Sequence, residues 1–155
     1  IMLLSSDGER ALRPLLSTPS NETVARFSPD GRWIAYQSDE SGRDEVYLTA
    51  YPGPGGRSQV STNGGIDPAW SRDGREIFFP SGGKMMAAAV ETRPKLRVGL
   101  PKPLFDLTNL DEYDVSLDGR FVFIRNRGDE AAPKSLAVVL NWFDDLKRRL
   151  SAGQK

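Results

Sequence analysis

The carboxylates of this chain recur on a period. Asp30, Asp73 and Asp118 each stand inside one five-residue pattern, Ser28-Pro29-Asp30-Gly31-Arg32, Ser71-Arg72-Asp73-Gly74-Arg75 and Ser116-Leu117-Asp118-Gly119-Arg120, whose serines are 43 and 45 residues apart. A repeated aspartate invites acid/base or metal chemistry, and a second oxygen-rich stretch, Asp39-Glu40-Ser41-Gly42-Arg43-Asp44-Glu45, carries donor atoms of the kind calcium takes. That stretch lacks the alternating acidic and Asn positions and the distal glutamate of an EF-hand loop, and Arg43 opposes a cation. It is therefore read as a solvated hairpin loop. The three aspartates, each beside a glycine, are expected to bond the local backbone. With neither His nor Cys in the chain, a Ser-His-Asp triad, a Cys-His dyad and a Cys/His zinc site are excluded. The sequence fixes no pair of acids at the separation of about 5 to 10 Å that glycoside hydrolysis needs. No catalytic residue, metal site or cofactor is expected.

The element that positions these aspartates is a tight reversal between two strands. Ser and Asp side chains bond nearby backbone, Pro29 pre-sets φ, and Gly31, Gly74 and Gly119 supply the positive φ that a Cβ resists. The flanking apolar residues repeat too: Phe27, Trp70 and Val115 before the turn, then Ile34, Ile77 and Val122, then Tyr36, Phe79 and Ile124. Ala35, Phe78 and Phe123 lie between them, so the strand after each turn is apolar on both faces, as in sheets covered on both sides. A period of roughly 40 to 50 residues with doubly covered sheets is the mark of a β-propeller, whose blades shield one another. A two-layer sandwich of hairpins is the alternative, but it predicts cleaner alternation and no constant period.

The fold expected is all-β, a partial β-propeller of about three and a half four-stranded blades with a short C-terminal helix. Residues 1–140 form the incomplete propeller, with blade parts 1–17, 23–61, 67–106 and 112–140, and residues 141–155 a helix and tail. Asn141 suits an N-cap, Trp142, Leu146 and Leu150 recur at helical spacing, and Lys147-Arg148-Arg149 complements the helix dipole at its C-terminal end. Because the blade count does not close a ring and the chain begins in Ile1-Met2-Leu3-Leu4, the sequence is expected to be the C-terminal part of a longer protein, and the isolated chain to associate through its uncovered sheets.

Lys and Arg together number 21, as do Asp and Glu, so the net charge is zero. That balance lacks the basic footprint of a nucleic-acid binder, and no segment has the length and apolarity of a membrane span. Neither a nucleic-acid partner nor direct membrane contact is expected. Partners are expected elsewhere: the remaining blades of the parent chain, and a protein or small ligand at the channel face. In a propeller the first strand of each blade lines the channel, so the residues entering these strands face its mouth. Arg26, Asp67, Glu112 and Asp114 are the candidate polar rim, against the simpler alternative of ion pairs between blades.

The run Phe27-Ser28-Pro29-Asp30-Gly31-Arg32-Trp33-Ile34-Ala35-Tyr36, followed by Ser38-Asp39-Glu40-Ser41-Gly42 and Glu45-Val46-Tyr47, resembles the TolB-type, WD-repeat-like propeller blade, and Pro68-Ala69-Trp70-Ser71-Arg72-Asp73-Gly74 repeats its opening. Arg72 and Leu117 depart from the proline usual there. Tyr51-Pro52-Gly53-Pro54-Gly55-Gly56, Pro103-Leu104-Phe105 and Val138-Val139-Leu140-Asn141-Trp142-Phe143 are similar to the C-terminal propeller of bacterial multi-domain proteins, many of which carry a serine/threonine kinase or a DNA-binding regulatory domain. The resemblance implies a non-catalytic sensing or protein-binding module, extracytoplasmic where a membrane span precedes it. No kinase motif occurs in these residues. The alternative is a propeller that gates a prolyl-oligopeptidase-like hydrolase, which predicts a Gly-x-Ser-x-Gly elbow after the last blade.

Overall fold

The computed structural model describes residues 1–5, 11–53, 56–108 and 110–125. Every regular element among them is a β-strand; the helix and tail expected over 141–155 and the end of the blade part expected over 112–140, from 126 on, lie outside the described residues. The chain divides into two compact units, Ile1–Asp106 and Leu107–Lys155.

In the first unit, β1 (Met2–Leu4) pairs antiparallel with β2 (Leu12–Pro14). A four-stranded antiparallel sheet follows in chain order: β3 (Glu22–Phe27), β4 (Trp33–Ser38), β5 (Glu45–Ala50) and β6 (Arg57–Gln59). The next sheet repeats the meander with β7 (Ala69–Trp70), β8 (Glu76–Ser81) and β9 (Lys84–Glu91). Its outer position is shared along one edge of β9. There β10 (Arg97–Val98) pairs with Val90 and Glu91, while β11 (Lys102–Asp106) pairs with Lys84–Ala87. The stretch 93–99 looks irregular in sequence, yet it contributes β10, because Arg97 and Val98 add hydrogen bonds where β9 outruns β11.

The strand after each turn is where the core concentrates. Ile34, Ala35 and Tyr36 on β4, and Ile77, Phe78 and Phe79 on β8, are all buried. Since successive side chains leave opposite faces, Ala35 joins Val46, Leu48 and Val60 on one face of its sheet, and these pack with Trp70, Ile77, Phe79, Ala88 and Val90 of the next. This is the doubly covered sheet that the apolar runs require.

The two turns in this unit share one geometry. Gly31 N donates to Ser28 O (2.9 Å) and Gly74 N to Ser71 O (3.0 Å), with the glycines at φ 68° and 69°. The serine hydroxyl donates to the aspartate Oδ1 (2.6 Å and 2.7 Å) and accepts the amide two residues past the glycine, that of Trp33 or Glu76. The same Oδ1 accepts the amide of Arg32 or Arg75.

In the second unit, β12 (Leu110–Val115) pairs antiparallel with β13 (Phe121–Arg125), and Gly119 holds the turn at φ 79°. Tyr113, Phe121 and Phe123 stack on one face of this hairpin. Val122 and Ile124, aligned with the buried Ile34 and Tyr36, are 42% and 46% exposed, so the third copy departs from the burial of the first two.

Candidate binding surface on the first strands

The first strands of the first and third repeats are each interrupted by a register shift. Between Thr23 and Arg26, β3 takes one residue more than β4, a β-bulge, and β12 does the same against β13 between Leu110 and Tyr113. Val24 (φ 48°) and Asp67 (φ 46°) are the two non-glycine residues with positive φ among the described residues, and each lies four residues before its turn serine. Glu112 holds the equivalent position in the third copy, inside the β12 shift. A left-handed backbone costs an L-residue about 1 to 2 kcal/mol, and a β-branched side chain suits it least.

Around these positions the two sheets of the first unit are tied together. Trp70 Nε1 donates to Arg26 O (3.2 Å) and Asp67 N to Gln37 Oε1 (3.2 Å), while Ile66 N donates within the second repeat to Pro80 O of β8 (3.2 Å). Arg26 is exposed on β3 and Asp67 is exposed two residues before β7, and the Arg26 guanidinium donates to Ala25 O (3.3 Å). Glu112 and Asp114 are exposed on β12 of the second unit, where Asp114 Oδ1 accepts the Val115 amide (2.8 Å). Arg26, Glu112 and Asp114 thus occupy first strands and Asp67 the approach to one, two residues in each unit.

The acidic loop before β5 is not wholly solvated, which corrects the reading of Asp39–Glu45 from sequence. The Glu45 side chain is completely buried. Its Oε2 accepts the Ser61 hydroxyl, and its Oε1 accepts Arg43 Nε (2.8 Å) and Gly64 N (2.9 Å). Ser61 Oγ in turn accepts the Val46 amide (2.7 Å), and Ser81 Oγ donates to Gly64 O (2.7 Å). Burial pushes the Glu45 carboxyl up, but the bonds from Ser61, Gly64 and Arg43 outweigh it and hold the group below its ordinary value. This cluster fastens the crossing loop between the two sheets to both of them.

The turn aspartates are also held in the charged form. The Ser28 hydroxyl lowers Asp30, the Ser71 hydroxyl lowers Asp73, and the Arg120 guanidinium with Ser116 pulls Asp118 down to about 2. A general acid at neutral pH needs the opposite displacement. No group of three His, Cys, Asp or Glu side chains with metal-binding geometry occurs among the described residues.

No family model matches the chain. The Tol-Pal system protein TolB of Bordetella pertussis and that of Bordetella parapertussis are each 36% identical to it over 53 residues, which is 34% of this chain and 12% of the relative. The crystal structure of TolB from Acinetobacter baumannii superposes with a TM-score of 0.60 at 25% identity, covering 83% of this chain and 32% of that one. The chain therefore spans about a third of the solved relative's length. Meandering antiparallel sheets repeated along the chain, the apolar faces they turn to each other, and this superposition identify the fold as a TolB-like partial β-propeller.

Proposed function

We propose that this chain is a non-catalytic protein-binding module whose polar contacts lie on and just before its first strands, Arg26 and Asp67 in the first unit and, at the corresponding positions of the second unit, Glu112 and Asp114. The observation that carries the reading is the pair of left-handed non-glycine residues, Val24 and Asp67, at equivalent positions of two repeats. Such strain persists where the surroundings over-determine it, and it clusters at functional surfaces. Similarity to TolB, a protein named for the Tol-Pal system, supports a protein partner. The depressed turn carboxylates and the absence of His and Cys speak against acid/base or nucleophilic catalysis. In its finer form the module senses for a larger bacterial protein such as a serine/threonine kinase, a reading supported by the resemblance of the Tyr51–Gly56 and Pro103–Phe105 segments.

The test is selection of a phage-displayed random peptide library on the immobilised chain. Enriched peptides are expected to lose about tenfold in affinity on Arg26→Ala and Asp67→Ala while binding Arg97→Ala unchanged. Peptides that bind all three variants like the parent would show that these positions are not the recognition surface.

A further inference from the structure

The turns that follow these first strands border a second cleft, which none of the four residues just proposed lines. The turn after β3 and the turn after β7 stand side by side: a Cβ on Gly74 would lie 3.6 Å from Pro29 Cδ. Between them opens a lobe of about 280 Å³ bounded by Asp30, Asp73, Thr92 and the half-buried indole of Trp33. It continues into a lobe of about 400 Å³ that shares Asp30, Trp33 and Thr92 but adds Arg32, Arg93 and Tyr51.

Asp30 stands where the two lobes meet, in the field of the Arg32 and Arg93 guanidiniums, whereas Asp73 lines the first lobe alone. The first lobe carries two carboxylates and no cationic side chain, and the second brings two guanidiniums beside a phenol ring. Asp30 and Asp73 each use Oδ1 to hold their turns, so Oδ2 is not needed for that purpose. Arg75 Nε, 3.9 Å from Asp73 Oδ2, forms an exposed ion pair with it but no hydrogen bond. A ligand cation resting on the Trp33 face between two carboxylates gains both cation-π and ion-pair attraction. A ligand carboxylate meets guanidiniums that pair with it through two parallel bonds.

We infer that this cleft binds a protein segment in which a Lys or Arg and an Asp or Glu lie within two residues of each other, the cation seated on Trp33 between Asp30 and Asp73 and the carboxylate on Arg32 and Arg93. Neither lobe alone suits a uniformly charged peptide, because such a peptide places like charges together at one end of the cleft.

The experiment titrates the full chain with capped tripeptides and follows the indole N–H resonances of its tryptophans, assigned through Trp33→Phe and Trp70→Phe. Acetyl-Arg-Gly-Glu-amide and acetyl-Glu-Gly-Arg-amide are the probes; the Arg-Gly-Arg and Glu-Gly-Glu peptides are the controls. The Trp33 resonance is expected to shift with at least one bipolar peptide, with Kd about tenfold weaker for both uniformly charged ones. The Trp70 resonance, whose N–H is bonded to Arg26 O, is expected to stay in place. Asp73→Asn, which keeps the Oδ1 acceptor, and Arg93→Gln are each expected to weaken binding about tenfold. Four results would overturn the inference: no Trp33 shift at millimolar peptide, equal binding of uniformly charged peptides, undiminished binding by both variants, or a shift confined to Trp70. The last of these would move the ligand to the first-strand surface and leave the proposed function intact.

Discussion

Ser61 donates its hydroxyl to the buried carboxylate of Glu45 and accepts the amide of Val46, the residue next to Glu45 in β5. One serine thereby closes the loop between two sheets onto the strand from which the glutamate comes. Glu45→Ala would leave the Gly64 amide without its acceptor inside the loop and take from Ser61 its own acceptor. An unsatisfied buried polar group costs about 1 to 3 kcal/mol, so a loss of about 3 kcal/mol is expected for two. Glu45→Gln keeps one acceptor oxygen and is expected to lose about half as much. Urea denaturation measures both; a loss below about 1 kcal/mol for the alanine variant would show that the cluster does not hold the loop.

Glycines in this fold are required for two different reasons, and substitution separates them. At Gly31, φ is +68° and a Cβ would meet nothing within 4 Å, so Gly31→Ala is expected to cost only the left-handed strain of about 1 to 2 kcal/mol. At Gly65 the backbone is not left-handed, but a Cβ would fall 2.7 Å from both Ser61 Cβ and Ser61 Oγ and 3.0 Å from a Phe79 ring carbon. Gly65→Ala must therefore displace the serine that bonds Glu45, and a loss greater than that of Gly31→Ala is expected. Equal thermal midpoints for the two variants would contradict the distinction.

The contrast shows what the sequence discloses. Strand pairing and the all-β class are legible because alternation, apolar runs and turn residues are local signals, and the Ser-x-Asp-Gly turns keep all their bonds within a few residues. Glu45 is different: its partners Ser61 and Gly64 are 16 and 19 residues away, and nothing near Asp44 marks the next residue as buried. Gly65 carries no turn signature, since its need arises from Ser61 and Phe79 packed against it. Val24 and Asp67 give no local sign of a left-handed backbone. Only their equal distance from the turn serines, noted after alignment of the repeats, could have singled them out.

That strained position supports an inverted mutational expectation. A glycine inside a strand ordinarily costs roughly 0.5 to 1 kcal/mol relative to alanine, and more where packing is lost. At Val24 glycine also removes the left-handed strain of about 1 to 2 kcal/mol. Val24→Gly is therefore expected to leave stability unchanged or raised, whereas Val98→Gly, in β10 and packed against the core cluster, is expected to lose about 1 to 2 kcal/mol. A loss at Val24 as large as that at Val98 would mean that the bulge carries no strain.

The acid side of the stability profile follows from the same carboxylates. Glu45, Asp30 and Asp73 are held below their ordinary values of 4.5, 3.8 and 3.8, and Asp118 is pulled down to about 2. A group whose folded value is depressed binds fewer protons in the native state, so its contribution is complete above the unfolded value and is lost as pH falls through the folded one. The urea midpoint is accordingly expected to be level above about pH 5 and to decline from there toward pH 2. Glu45→Gln removes one titrating group, so its midpoint starts lower and declines less steeply over that range. Parallel profiles for the variant and the parent would assign the acid sensitivity to the turn aspartates and exclude the buried glutamate, because the native state would then protonate Glu45 as readily as the unfolded chain does.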